Sequence, residues 1–87
     1  MSVFMVERDL KGISMEALGG AQKAAIGKAR EMSAAGTDIK YLRSTFAPDD
    51  GRCMCLFEAK SDASVKKLND DAGLPYSRIV PALDLTP

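Results

Sequence analysis

Histidine is missing altogether from the 87 residues. Its absence excludes Ser-His-Asp and Cys-His constellations. It also removes the one side chain that titrates near neutral pH unaided. A general base here has to be a carboxylate or a lysine with a strongly shifted pKa, and no motif marks one. An excess of one charge is missing too, since 12 Lys plus Arg balance 12 Asp plus Glu. With zero net charge and no basic stripe, nucleic acid is not expected as a partner. No apolar run approaches the roughly 20 residues of a membrane span. The opening Met1-Ser2-Val3-Phe4-Met5-Val6-Glu7-Arg8 lacks a basic stretch and runs quickly into charge, so it does not read as a signal peptide. Cysteine is scarce, with only Cys53 and Cys55. On a strand rising roughly 3.3 Å per residue, they sit about 6.6 Å apart, at the far edge of disulfide geometry. Free thiols fit a reducing, cytoplasmic setting.

What is present is one domain, residues 1–87, organised around Arg52-Cys53-Met54-Cys55-Leu56-Phe57-Glu58-Ala59. This stretch is apolar on both alternating faces and is entered through the turn signal Asp50-Gly51. A strand of that kind has to be covered on both sides.

Taken in order, Val3–Arg8 reads as a first strand. Ser14 is the expected N-cap of a helix, with Glu16 in its first turn. Met15, Leu18, Gln22, Ala25, Ala29 and Met32 form the apolar stripe, and Gly36 stops the helix. Gly19, Gly20 and Gly27 sit inside it at a cost of up to about 1 kcal/mol each. Close packing on the sheet or a frayed first turn would explain them; so would a surface left open for a ligand or partner. Thr37–Ala47 reads as a second strand and Arg52–Ala59 as a third, joined by a Pro-Asp-Asp-Gly hairpin loop. Ser61-Asp62 caps a second helix with the apolar face Val65, Leu68 and Ala72. Gly73-Leu74-Pro75 ends it. Tyr76–Leu85 is the last strand, placed at an edge because Pro81 cannot donate to a ladder.

This order is the α+β, ferredoxin-like split βαβ arrangement, βαββαβ. Right-handed crossovers give a four-stranded antiparallel sheet of order 4-1-3-2, with both helices on one face. The other face then needs a cover. A second copy meets that need most simply, giving a homodimer through the sheet face, a dimeric α+β barrel. A bound apolar ligand is the rival cover.

Phe4-Met5-Val6-Glu7-Arg8, Gly36 with Tyr41-x-x-Ser44, Cys55-Leu56-Phe57-Glu58-Ala59 and Gly73-Leu74-Pro75 together resemble the DUF4242 family. These are small bacterial proteins of about this length, one of which is described as nickel-binding. The resemblance implies a ferredoxin-like fold and a dimer. In that family a His commonly stands where this chain has Arg43. Imidazole is the usual nitrogen ligand for nickel, and arginine stays protonated, so nickel binding is not carried over.

The residues themselves point to a ligand site at Tyr41, Arg43 and Cys55, with Glu7 nearby. If the hairpin pairs Arg43 with Cys55 and Tyr41 with Phe57, these side chains share a face with Cys53. A guanidinium there favours a thiolate or holds an anion. A one-residue slip instead sets Arg43 opposite Met54 or Leu56, as an ordinary edge-strand charge. Glu7 and Glu58 fall at opposite ends of antiparallel strands and make no acid–base pair; Arg52 or Arg43 is the expected partner of Glu7. The leading expectation is a dimeric, non-catalytic protein that binds a small anionic or amphipathic ligand and needs no cofactor. Two alternatives stand beside it. One is a cofactor-independent enzyme of the dimeric α+β-barrel kind, by analogy of fold alone. The other is a metal site built from Cys53 and Cys55 across a dimer, against which both cysteines read as small buried apolar groups.

Overall fold

Apolar side chains on alternating positions put Phe4 and Val6, then Cys53, Cys55 and Phe57, on single faces of extended chain. The computed structural model describes all residues, Met1–Pro87. Its elements are β1 (Ser2–Asp9), α1 (Met15–Ala34), β2 (Ile39–Ala47), β3 (Arg52–Ala59), α2 (Asp62–Asp71) and β4 (Arg78–Ala82). The strands form one antiparallel sheet in the order β2-β3-β1-β4. This is the expected 4-1-3-2 order counted from the other edge, and β4, carrying Pro81, is indeed an edge strand. The fold is ferredoxin-like, with both helices on one face.

Local chemistry sets the element ends. Ser14 Oγ accepts from the Ala17 N–H and starts α1, and Ser61 Oγ does the same for α2 with Ser64. Gly73 follows α2 at φ +68°. Its N–H donates to Asp70 O, and the Leu74 N–H donates to Asn69 O, the paired bonds of a Schellman stop. Asp70 and Asp71 lie at the helix end where acids are unfavourable, but Lys66 and Lys67 pair with them one turn back. Tyr76 also donates its hydroxyl to Asp70. Gly51, at φ +73°, packs so closely on Lys11 that a Cβ would come within 2.3 Å of its Cα. That contact ties the β2–β3 hairpin to the end of β1, where the Leu10 N–H donates to Gly51 O.

The core lies between helices and sheet. It joins Phe4, Val6, Cys53, Cys55, Phe57 and Ala59 to Ala25, Ala29 and Met32 of α1 and Val65 and Leu68 of α2. Burial of a side chain such as Phe57 or Leu68 contributes about 1.5–3 kcal/mol. The stripe of α1 is shorter than its spacing predicts: Met15 is 73% exposed and Gln22 is exposed. The three glycines of α1 are not there for close packing, because a Cβ at Gly19, Gly20 or Gly27 would meet nothing within 4 Å. The second strand begins at Ile39 rather than Thr37, and the last covers Arg78–Ala82 rather than Tyr76–Leu85.

Beyond β4 the chain turns across the open face of the sheet, where Asp84 pairs with Arg43 of β2 at 2.8 Å. Val3, Met5, Met54, Leu56 and Val80 remain half-buried on that face. Leu83 and Leu85 point to solvent, 82% and 85% exposed.

Candidate functional site

The register of the β2–β3 hairpin decides which side chains meet. Tyr41 lies opposite Phe57, as expected, and the two rings pack edge to face at 5.5 Å. The pairing then shifts by one residue, so that Arg43 faces Leu56 and Ser44 faces Cys55. Leu42 is the extra residue of a β-bulge. The bulge puts Tyr41 and Ser44 on the same, helix-facing side, three residues apart, where a regular strand would send them to opposite faces. It also turns Arg43 away. Arg43 lies on the open face, its side chain 56% exposed, in an ion pair with Asp84. The expected Arg43–Cys55 contact is therefore not made. Glu7 also lies on the open face, paired with Arg78 and with Arg52 at 3.6 Å. Of the four ligand-site residues expected, Tyr41 and Cys55 come together and Arg43 and Glu7 do not join them.

A different arginine occupies the place assigned to Arg43. Arg8 ends the alternating series Phe4, Val6, Arg8 on the core face of β1 and lies opposite Cys53. Only 5% of it is exposed. One terminal nitrogen donates to Pro75 O at 3.0 Å, and the other, Nη2, has no partner. No carboxylate pairs with it, since every ion pair of the chain involves other residues. The alternation carried the signal for Arg8, and its place at the end of a strand concealed it. The signal for the bulge was parity: Tyr41 and Phe46 are an odd number of residues apart, yet both sit against the core.

Arg8 lines a cavity of about 160 Å³ between α1 and the sheet. Leu10, Leu18, Ala21, Ala25 and Phe46 supply apolar walls, and Gln22, Tyr41, Ser44, Cys53 and Cys55 supply polar atoms. Those polar atoms form a chain. Gln22 Nε2 donates to Tyr41 Oη at 3.1 Å, Tyr41 and Ser44 share a short hydrogen bond, and Ser44 donates to Cys55 Sγ at 3.0 Å. The two sulfurs are 3.9 Å apart. Burial pushes the Cys53 thiol up to about 11, with Cys55 adding to the rise and Arg8 opposing it. Cys53 is thus a neutral thiol at physiological pH and gives Arg8 no counter-charge.

The cysteines also bear on the metal alternative. Both face the helices, so a partner packed on the open sheet face cannot bring four sulfurs together. No three Cys, Asp or Glu side chains converge anywhere in the chain.

Comparison with known proteins places this fold in a family. Residues 4–81 match the family described as nickel responsive protein SCO4226-like. That label differs from DUF4242 and is compatible with it. The crystal structure of SCO4226 from Streptomyces coelicolor A3(2) superposes with a TM-score of 0.80, covering 98% of this chain and 100% of that one at 21% identity. At that identity the likeness establishes the fold. A search among curated proteins gave no match. The chain belongs to the SCO4226-like family.

Proposed function

We propose that this member of the SCO4226-like family is a homodimeric protein that holds a small organic anion in the cavity between α1 and the sheet. The observation that carries the reading is Arg8, a buried residue of the cavity wall whose guanidinium has one terminal nitrogen unpartnered and no carboxylate beside it. An unpaired buried charge costs several kcal/mol, and an anion in the cavity offsets that cost. The polar chain from Gln22 to Cys55 supplies the remaining hydrogen-bonding groups. This is the small anionic or amphipathic ligand expected from the sequence, held by Arg8 in place of Arg43.

The family's nickel response sets the competing expectation, and the donor set here does not fit that ion. The chain has no imidazole. Its two thiols lie beside a guanidinium, which repels a dication, and Cys53 keeps its proton. In this reading the second copy sits on the open sheet face, where Met5, Met54, Leu56 and Val80 form an apolar strip that one copy leaves half-buried. Leu83 and Leu85 are further apolar side chains that one copy leaves exposed.

Native mass spectrometry of protein purified without added metal or chelator tests the whole reading. The expected species is a dimer carrying an acidic organic molecule, with that mass missing from Arg8→Met and the dimer missing from Leu56→Asp. Stoichiometric nickel, or a bare protein that no organic anion stabilises, overturns the ligand reading. A wild-type monomer overturns the dimer.

A further inference from the structure

The geometry points to a monocarboxylate with a short apolar body, of roughly six non-hydrogen atoms, as the class of ligand this cavity takes. The inference rests on the anion-site reading above and narrows it.

Three properties of the cavity select the class. The first is charge. Arg8 contributes one positive charge, no carboxylate or lysine lines the cavity, and Cys53 holds its proton. Glu7 is turned to the other face with Arg52 and Arg78. Asp9 is exposed and accepts from the Lys11 N–H. A monoanion balances the site, whereas a dianion leaves a negative charge buried and unpaired, at a penalty of several kcal/mol.

The second property is the number of free donors. Of the five guanidinium N–H groups one is committed to Pro75, and the terminal nitrogen Nη2 has no partner at all. The hydroxyls of Tyr41 and Ser44 are engaged with each other and with Gln22 and Cys55. A carboxylate confines its acceptors to one end, within reach of Arg8. Phosphate and sulfate carry oxygens in all directions, and those remote from Arg8 would lie against Leu10, Leu18, Ala25 and Phe46 without donors. Each buried acceptor left unpaired costs about 1–3 kcal/mol.

The third property is size. An apolar protein cavity of about 150 Å³ accommodates benzene, and this one is about 160 Å³. A four- or five-carbon straight-chain acid fills it. Acetate leaves the apolar end empty, and a ten-carbon acid does not fit within the walls.

Isothermal titration calorimetry on the dialysed full chain reads this directly, using acetate, butyrate, valerate, hexanoate and decanoate, with 1-butanol, butylamine, phosphate and sulfate as comparisons. Affinity is expected to peak at butyrate or valerate and to fall at least tenfold for 1-butanol, which keeps the body and loses the charge-assisted bond. Butylamine is expected not to bind. Arg8→Met should abolish binding, and Arg8→Lys should weaken it. Leu18→Phe keeps the charge and fills the cavity, so it should abolish binding of valerate before that of acetate. Tightest binding of phosphate or sulfate through Arg8 overturns the monocarboxylate class while the anion site stands. Affinity that keeps rising to decanoate also overturns it, because the ligand would then lie outside the cavity. If no anion binds in an Arg8-dependent way, both readings fall.

Discussion

Replacing Arg8 by methionine separates a residue kept for a ligand from one kept for stability. Met has nearly the length of the Arg stem and no charge. In the ligand-free protein the substitution removes a guanidinium that is 5% exposed and has no carboxylate beside it. Exchanging buried ionic groups for apolar ones of similar volume is neutral or stabilising by about 1–4 kcal/mol. Against this stands the lost bond to Pro75 O. Pro75 is exposed, so water replaces the donor, and the loss falls at the low end of the usual range, about 1 kcal/mol. Setting about 1 kcal/mol against a gain of about 1–4 kcal/mol leaves a net gain of up to about 3 kcal/mol. For a domain of this length each kcal/mol gained raises Tm by about 4–8 °C. Urea unfolding followed by circular dichroism at pH 7 and fixed protein concentration reads the change, with the m-value checking that the unfolded reference is unaltered. Ligand acts in the opposite sense. At a hundred times Kd it stabilises the wild type by about 2.7 kcal/mol and leaves Arg8→Met unchanged. A fall of 1 kcal/mol or more in the ligand-free variant, at unchanged m, refutes the reasoning. Arg8 would then be a clamp on the Pro75 loop, and its missing counter-ion would say nothing about a ligand.

Stability should fall between about pH 9 and pH 11, because the unfolded Cys53 thiol ionises near 9.0 while the folded one holds its proton to about 11. The folded state binds more protons in that window, so each pH unit removes up to about 1.4 kcal/mol; denaturant titrations at pH 8 and pH 10.5 should differ for the wild type and much less for Cys53→Ala. Gly19→Ala should raise stability by about 0.5–1 kcal/mol, since Ala is the better helix former and its Cβ meets nothing; a loss in the same thermal melt would mean that the space above α1 is filled in solution. Arg43→Ala should cost no more than about 1 kcal/mol, as an exposed ion pair does, and calorimetry should find its ligand affinity equal to wild type. A tenfold loss of affinity would return Arg43 to the site.

The amino-acid sequence by itself determined the order of elements, their caps and the sheet topology. Ser14 and Ser61 start their helices and Gly73-Leu74-Pro75 ends one because capping is a contest among neighbouring backbone groups, settled within a few residues. The sheet order followed from the handedness of the crossovers, which is a property of L-residues. Pro81 marked an edge because it lacks an N–H. What only the tertiary structure decided is which side chains share a face and which charge is buried. The bulge at Leu42 exists because both halves of β2 direct apolar residues at one core, Ile39 and Tyr41 before it and Phe46 after it, and the strand has to shift phase to satisfy both. That shift sent Arg43 to solvent and brought Ser44 to Cys55. Arg8 is buried because α1 and the Pro75 loop close over the end of β1. The alternation of β1 assigns Arg8 to the core face, but whether the end of that face is covered depends on elements distant in the chain.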